Sequence, residues 1–293
     1  MPQSAKDIAL ADGRTLRINE SGDPRGPPVF VLHTCPGSKL LYAQHVADAA
    51  RRGIRLISFD PAGYGGSTAR PGRIVADEAS DVRAIADSLG VDRFALWGHS
   101  KGASYALACA ALLPDRLVAV ASLGAVAPYA ADGLDWFAGV AETAVAGFQL
   151  FSYDPDAWKR KLAEEVKEMR EISQERLNES LFDSSPDVDR AVLTPELLSF
   201  AHAQMQDGLS QGPDGFIDDS LSDIKPWGFE LSSIKVPVQL WHGTDDQLVP
   251  LSHARWLADH LPGADVHLEP GEGHISLFVR RIPEVHEWLV SHF

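Results

Sequence analysis

The sequence predicts an α/β fold: a mostly parallel central sheet, helices on both faces, and a mainly helical insertion after the sixth core strand. Three observations predict it. Apolar runs of strand length alternate with stretches of helical periodicity as far as Pro128, the pattern of strand–crossover–strand units. Several of these runs are continuously apolar, as strands covered on both faces are. The alternation stops near Pro128 and returns near Val236, so one core (1–128 and 235–293) is interrupted by residues 129–234.

Taken in order, residues 6–33 read as strands. Asp12-Gly13 between IAL and RTLRI marks a hairpin turn, because both central positions of such a turn favour φ > 0. VFVLH, after Pro27-Pro28, reads as a buried strand, 42–52 as a helix, and IRLISFD as the next buried strand. A glycine-rich loop, PAGYGGS, follows. Residues 74–89 place apolar side chains at 75, 79, 82, 85, 86 and 89, the stripe of a surface helix. Then come the strand RFALW, the turn GHSKG, an alanine-rich helix to Leu113 and the strand LVAVASL. Within the insertion, 156–181 set Trp158, Leu162, Val166, Met169 and Ile172 on one helix face, whereas 212–233 read as loop. The core returns with the strand VPVQLWHG, a helix near 252–260, the strand DVHLEP and a closing helix to Phe293.

Composition narrows the function. Among 293 residues, 45% are hydrophobic and 23% charged, the balance of a globular chain rather than a disordered one. The net charge of −15 repels phosphate backbones and anionic lipid, so neither nucleic acid nor a membrane is an expected partner. Cys35 and Cys109 are too few for a disulfide framework, and a cytoplasmic location is expected. The first residues carry no signal-peptide pattern. The apolar stretch 117–131 contains Gly124 and Pro128 and is too short to span a bilayer. The oligomeric state stays open, a homodimer included.

Gly98-His99-Ser100-Lys101-Gly102 fits G-x-S-x-G and lies between a strand and a helix. A turn that sharp needs small residues on either side of the nucleophile, and it sets the serine oxygen at a helix N-terminus. Serine is a weak nucleophile without a base, and the base needs an orienting acid. Both follow in the chain, each past the end of a strand: Asp245-Asp246 in HGTDDQLVP, then His274 in GEGH. The residue after the nucleophile, Lys101, supplies a backbone N–H to an oxyanion hole. Its side chain is expected to lie along the surface. His33, His99 and His242 also sit at strand ends, but without the spacing of a metal site. No nucleotide fingerprint is present, and no cofactor or metal is implied.

With HTCPGS at 33–38, FDPAGYGGS at 59–67, GHSKG, GTDDQLVP and GEGH in place, the chain resembles the α/β-hydrolase superfamily, in particular its cap-bearing, serine-nucleophile members. The likeness covers nearly the whole length. It implies an α/β-hydrolase fold with a cap at 129–234, and a triad of Ser100, Asp246 and His274. Asp246 is the fourth residue of a G-x-x-D segment ahead of Val249-Pro250, with Asp245 the alternative. It also implies Cys35 as the second oxyanion donor. Thr34 departs from the family pattern, which has glycine there, and puts that donor in question.

The implied activity is hydrolysis of an ester, thioester, amide or activated carbon–carbon bond in a small to medium apolar organic substrate. The alternatives are a non-hydrolytic enzyme on the same scaffold (lyase, acyltransferase, perhydrolase or cyclisation catalyst) and a ligand-binding receptor.

Overall fold

In the computed structural model, which describes residues 4–140 and 142–293, eight strands form one sheet in the order β1-β2-β4-β3-β5-β6-β7-β8. The hairpin β1 (Ser4–Ala9) and β2 (Thr15–Gly22) turns at Asp12-Gly13, and β2 runs antiparallel to β4. The strands β3 (Pro28–Leu32), β4 (Arg55–Phe59), β5 (Phe94–His99), β6 (Leu117–Leu123), β7 (Val238–Gly243) and β8 (Asp265–Glu269) pair in parallel. The crossovers are the helices α1 (Ala43–Arg51), α2 (Asp77–Ser88) and α3 (Lys101–Leu112).

The continuously apolar strands are buried on both faces. Along β5, Phe94 and Leu96 pack with α2 and α3, while Ala95 and Trp97 face the opposite cluster, and β3 divides Phe30 and Leu32 from Val29 and Val31 in the same way.

Between β6 and β7 the chain leaves the sheet. The helices there are α4 (Glu142–Tyr153), α5 (Pro155–Glu171), α6 (Gln174–Ser184), α7 (Asp187–Arg190), α8 (Pro195–Gly208) and α9 (Asp214–Asp223). Helices α10 (Leu251–His260) and α11 (His274–Val290) complete the core. The face predicted over 156–181 is divided: α5 ends at Glu171, and the Ser173 hydroxyl accepts from Arg176 N to start α6.

The loop expected over 212–233 is corrected at its first half, where α9 forms. Its Asp218, Asp219 and Ser222 are buried, so long-range polar partners rather than an apolar stripe hold it. No helix among the described residues is long and apolar enough to cross a membrane.

Insertion and core meet backbone to backbone at several places, two of them between glycines. A side chain on Gly208 would collide with the carbonyl of Gly37, and one on Gly215 would sit 2.7 Å from the carbonyl oxygen of Gly63. The Gly208 carbonyl also accepts from Gly65 N at 2.8 Å.

Candidate active site

Ser100 has φ 58° and ψ −121°, and it is the one non-glycine residue with positive φ among the described residues. Such a backbone is costly for a residue with a Cβ and persists where the surroundings enforce it. Here they do. A Cβ on Gly98 would collide with the carbonyl of Gly102, and one on Gly102 with the carbonyl of Leu32. The G-x-S-x-G spacing therefore lets the turn close on itself and on β3. Ser100 N donates to the Leu123 carbonyl at 2.9 Å, and α3 starts at the next residue.

The histidine arrives from the far end of the chain. His274 is the first residue of α11, and its Nδ1 donates to Asp246 Oδ2 at 2.6 Å. The other oxygen, Oδ1, accepts from Leu248 N at 2.9 Å and Val249 N at 2.8 Å. Asp246 is thus buried and fully bonded, whereas Asp245 is exposed. Gly124, next to the residue that accepts from Ser100 N, backs the imidazole: a Cβ there would lie 3.1 Å from His274 Cε1. His99 Nε2 donates to the His274 carbonyl at 3.0 Å, and the two rings lie 4.5 Å apart. Among the described residues Ser100 Oγ makes no hydrogen bond, to His274 or any other group. Such bonds are often long without substrate and tighten when it binds.

Burial raises the Asp246 carboxyl, but the charge and hydrogen bond of His274 outweigh it and hold Asp246 down at about 2. Burial lowers His274, and there the Asp246 charge and hydrogen bond, with Asp189, prevail and raise it above the ordinary 6.5. A general base works in its neutral form. We therefore expect kcat/KM for any serine-dependent reaction to rise with pH along a limb centred above 6.5. A pH–rate profile checks it, and a limb centred below that value would contradict the pairing.

Sequence reasoning missed Asp189. From α7 its carboxylate accepts from the backbone N–H groups of His274 (3.1 Å), Ile275 (3.1 Å) and Ser276 (2.7 Å), the first turn of α11. It caps the helix that carries the histidine, from a segment 85 residues earlier. Asp189→Ala is expected to cost about 2 kcal/mol and to lower Tm by about 4 °C. Calorimetry measures it, and an unchanged Tm would remove the cap from the account.

The two expected oxyanion donors fare differently from their side chains. Among the described residues neither Lys101 N–H nor Cys35 N–H makes a hydrogen bond. Thr34 lacks positive φ, so replacing the family's glycine there imposes no backbone strain. Burial pushes the Cys35 thiol well up, so it stays protonated and is no thiolate nucleophile.

The Lys101 side chain does not lie along the surface; it is buried, and that expectation is corrected. Its ammonium donates to the Asp219 carbonyl (3.1 Å), Ser222 Oγ (2.6 Å) and the Asp223 carboxylate, all on α9. A buried ammonium needs such partners, and α9 supplies them from the insertion.

Around Asp219 the network widens. Its carboxylate meets Arg73 Nη2 at 2.5 Å and accepts from Tyr64 OH at 2.8 Å and from Tyr105 OH. Glu78, 3.8 Å from Arg73, is pushed up to about 8 by burial, so it carries its proton near neutrality. Arg73 and Lys101 then face Asp219 and Asp223 with no net charge left over.

A cavity of ≈ 130 Å³ adjoins the site, with Leu32, Thr34, Leu197, Phe200, Ile275 and Phe278 among its walls. His33 lines it too. Its Nδ1 is paired with Gln204 Nε2 at 3.0 Å, and burial holds it at about 3, a neutral ring fixed in the wall rather than a base. His242 is likewise bonded to the Val249 carbonyl at 2.9 Å, and burial lowers it.

Compared with known families, the model described as alpha/beta hydrolase fold matches residues 27–280. The chain belongs to that family. Among curated relatives of this alpha/beta hydrolase is 2-hydroxy-6-oxo-6-phenylhexa-2,4-dienoate hydrolase of Burkholderia cepacia. It is 27% identical over 271 residues, spanning 88% of this chain and 84% of the relative. A 2-hydroxy-6-oxononadienedioate/2-hydroxy-6-oxononatrienedioate hydrolase of Burkholderia vietnamiensis is 26% identical, spanning 90% and 87%. Among solved structures, an alpha/beta hydrolase fold protein from Chitinophaga pinensis superposes with a TM-score of 0.72 at 20% identity, over 98% of this chain and 97% of that one. The enol-lactonase of Burkholderia xenovorans LB400 gives 0.68 at 19%, over 98% and 99%. These two structures speak to the fold alone.

Proposed function

We propose that this alpha/beta hydrolase is a serine hydrolase working through an acyl-enzyme, with residues 129–234 as its cap. Ser100 Oγ attacks the substrate carbonyl, His274 takes its proton, and Asp246 holds the imidazole in the required tautomer. The Lys101 and Cys35 N–H groups bind the oxyanion. His274 then returns the proton to the leaving group, and water attacks the acyl-enzyme to release the acid. The observation that carries this reading is the enforced positive φ of Ser100 beside a closed Asp246–His274 pair.

The apolar cavity beside His99 and Ile275 favours an apolar acyl group of small to medium size. The bond cleaved belongs to an ester, thioester, amide or activated carbon–carbon bond. The last class draws support from the curated relatives' names: a 2-hydroxy-6-oxo-dienoate contains no ester or amide, so its hydrolysis breaks a carbon–carbon bond beside the ketone. Assaying chain-graded aryl esters against a 6-oxo-dienoate ranks the two.

Labelling with a fluorophosphonate tests the mechanism. Intact-mass and peptide analysis should show one adduct on Ser100, absent in the heat-denatured protein. A folded protein that takes no adduct there would overturn the proposal.

A further inference from the structure

Cys35 and Lys101 lie on different core segments, yet both side chains are anchored to one helix of the insertion. Cys35 Sγ lies 3.1 Å from Tyr64 OH, and Tyr64 OH donates to Asp219 Oδ2 at 2.8 Å. A phenol has one proton and a carboxylate accepts only, so the direction is fixed: the thiol donates to Tyr64, and Tyr64 donates to Asp219. The second Asp219 oxygen is occupied by Arg73 and Tyr105, which leaves the carboxylate no freedom to turn away.

The Lys101 ammonium ends on the Asp219 carbonyl, Ser222 and Asp223, within the last turns of the same α9. The helix is itself seated against the Tyr64 loop, since Gly215 meets the backbone of Gly63.

We propose that Tyr64, Asp219 and Asp223 are positioning residues for the oxyanion hole, holding Cys35 and Lys101 to α9 so that their two N–H groups converge. This rests on the serine-hydrolase reading above. The action is geometric rather than electrostatic. Lys101 is neutralised by Asp223 and its three donors are taken up on α9, so its charge is not offered to the oxyanion. Preorganised donors lose their value steeply with displacement, about 100-fold in rate for a shift near 1 Å. The cap helix thus sets catalysis without touching the substrate.

Tyr64→Phe and Lys101→Met each remove one tie and leave both backbone donors in the chain. The full-length variants are assayed with an aryl ester and with a trifluoromethyl ketone, which adds reversibly to a serine and places an oxyanion in the hole. We expect kcat to fall about 10- to 100-fold and the ketone's Ki to rise in step with the loss of kcat/KM, while the ester's KM moves less than about two-fold. The acid limb of the pH profile should stay in place, because His274 is untouched. Cys35→Ser, which keeps a donor to Tyr64, should retain more activity than Cys35→Ala.

Folded variants whose ketone affinity matches the parent's would overturn the proposal alone. So would a loss carried wholly by KM or by a lowered Tm. If one variant fails to fold, the other and the Cys35 pair decide by the same criteria. A parent protein that forms no hemiketal would overturn the serine reading, and this proposal with it.

Discussion

Ser100→Ala is expected to lower kcat about 10⁶-fold, with KM for the same substrate little changed. On the proposed mechanism the oxygen that attacks is gone, while the groups that bind substrate remain. In the same reading, two N–H donors and an apolar pocket alone would still leave about 10³-fold acceleration over water. The fold should survive, because the positive φ at this position is enforced by the surrounding backbone and alanine bears it as serine does. His274→Ala should cost about as much, and the double variant no more than either, since nucleophile and base act as a unit. Single-turnover kinetics on an activated ester measure all three. A Ser100→Ala protein within about ten-fold of the parent would rule out a serine nucleophile.

Asp246→Asn comes next, with an expected loss in kcat of about 10⁴-fold, whereas Asp245→Asn should stay close to the parent. Asp246 Oδ2 accepts the Nδ1 proton of His274, while Leu248 N and Val249 N fix the carboxylate through Oδ1. An amide in that place can donate instead of accept. The imidazole then takes the other tautomer, with its proton on Nε2 where the serine proton must go. Loss of the charge also removes what raises the His274 pKa, so the acid limb should move to lower pH. Asp245 is exposed and offers no comparable contact. Equal losses in the two variants would contradict this division.

What could be read from the sequence is whatever is local. Buried strands declare themselves by continuous apolar runs. The sharp turn at Ser100 declares itself by two glycines two residues either side of it, and Asp246 and His274 by turns that follow strands. The remaining groups carry no local signal. Asp189 looks like one more surface acid in SPDVDR, and its partners are three amides beyond residue 273. Helix α9 is rich in aspartate and opens beside Pro213, and it earns no apolar stripe. Its stability comes from Arg73, Tyr64 and Lys101, more than 110 residues away in the chain. The Lys101 expectation failed for the same reason, because a lysine reads as exposed until the acidic helix that buries it is in view. Periodicity finds elements that bury grease and is blind to those held by distant charges.

The seams at Gly37–Gly208 and Gly63–Gly215 join strand-end loops to the insertion with no side chain between them. A methyl group on Gly63, Gly208 or Gly215 would strike backbone across its seam whichever residue stands opposite, whereas one on Gly37 would strike the Thr34 carbonyl within its own loop. Chains that dock an insertion in this manner should therefore keep each of these glycines on its own account, whatever residue faces it. Glycine held on both sides of such a seam would be a written trace of insertion docking, legible in sequences for which no structure exists.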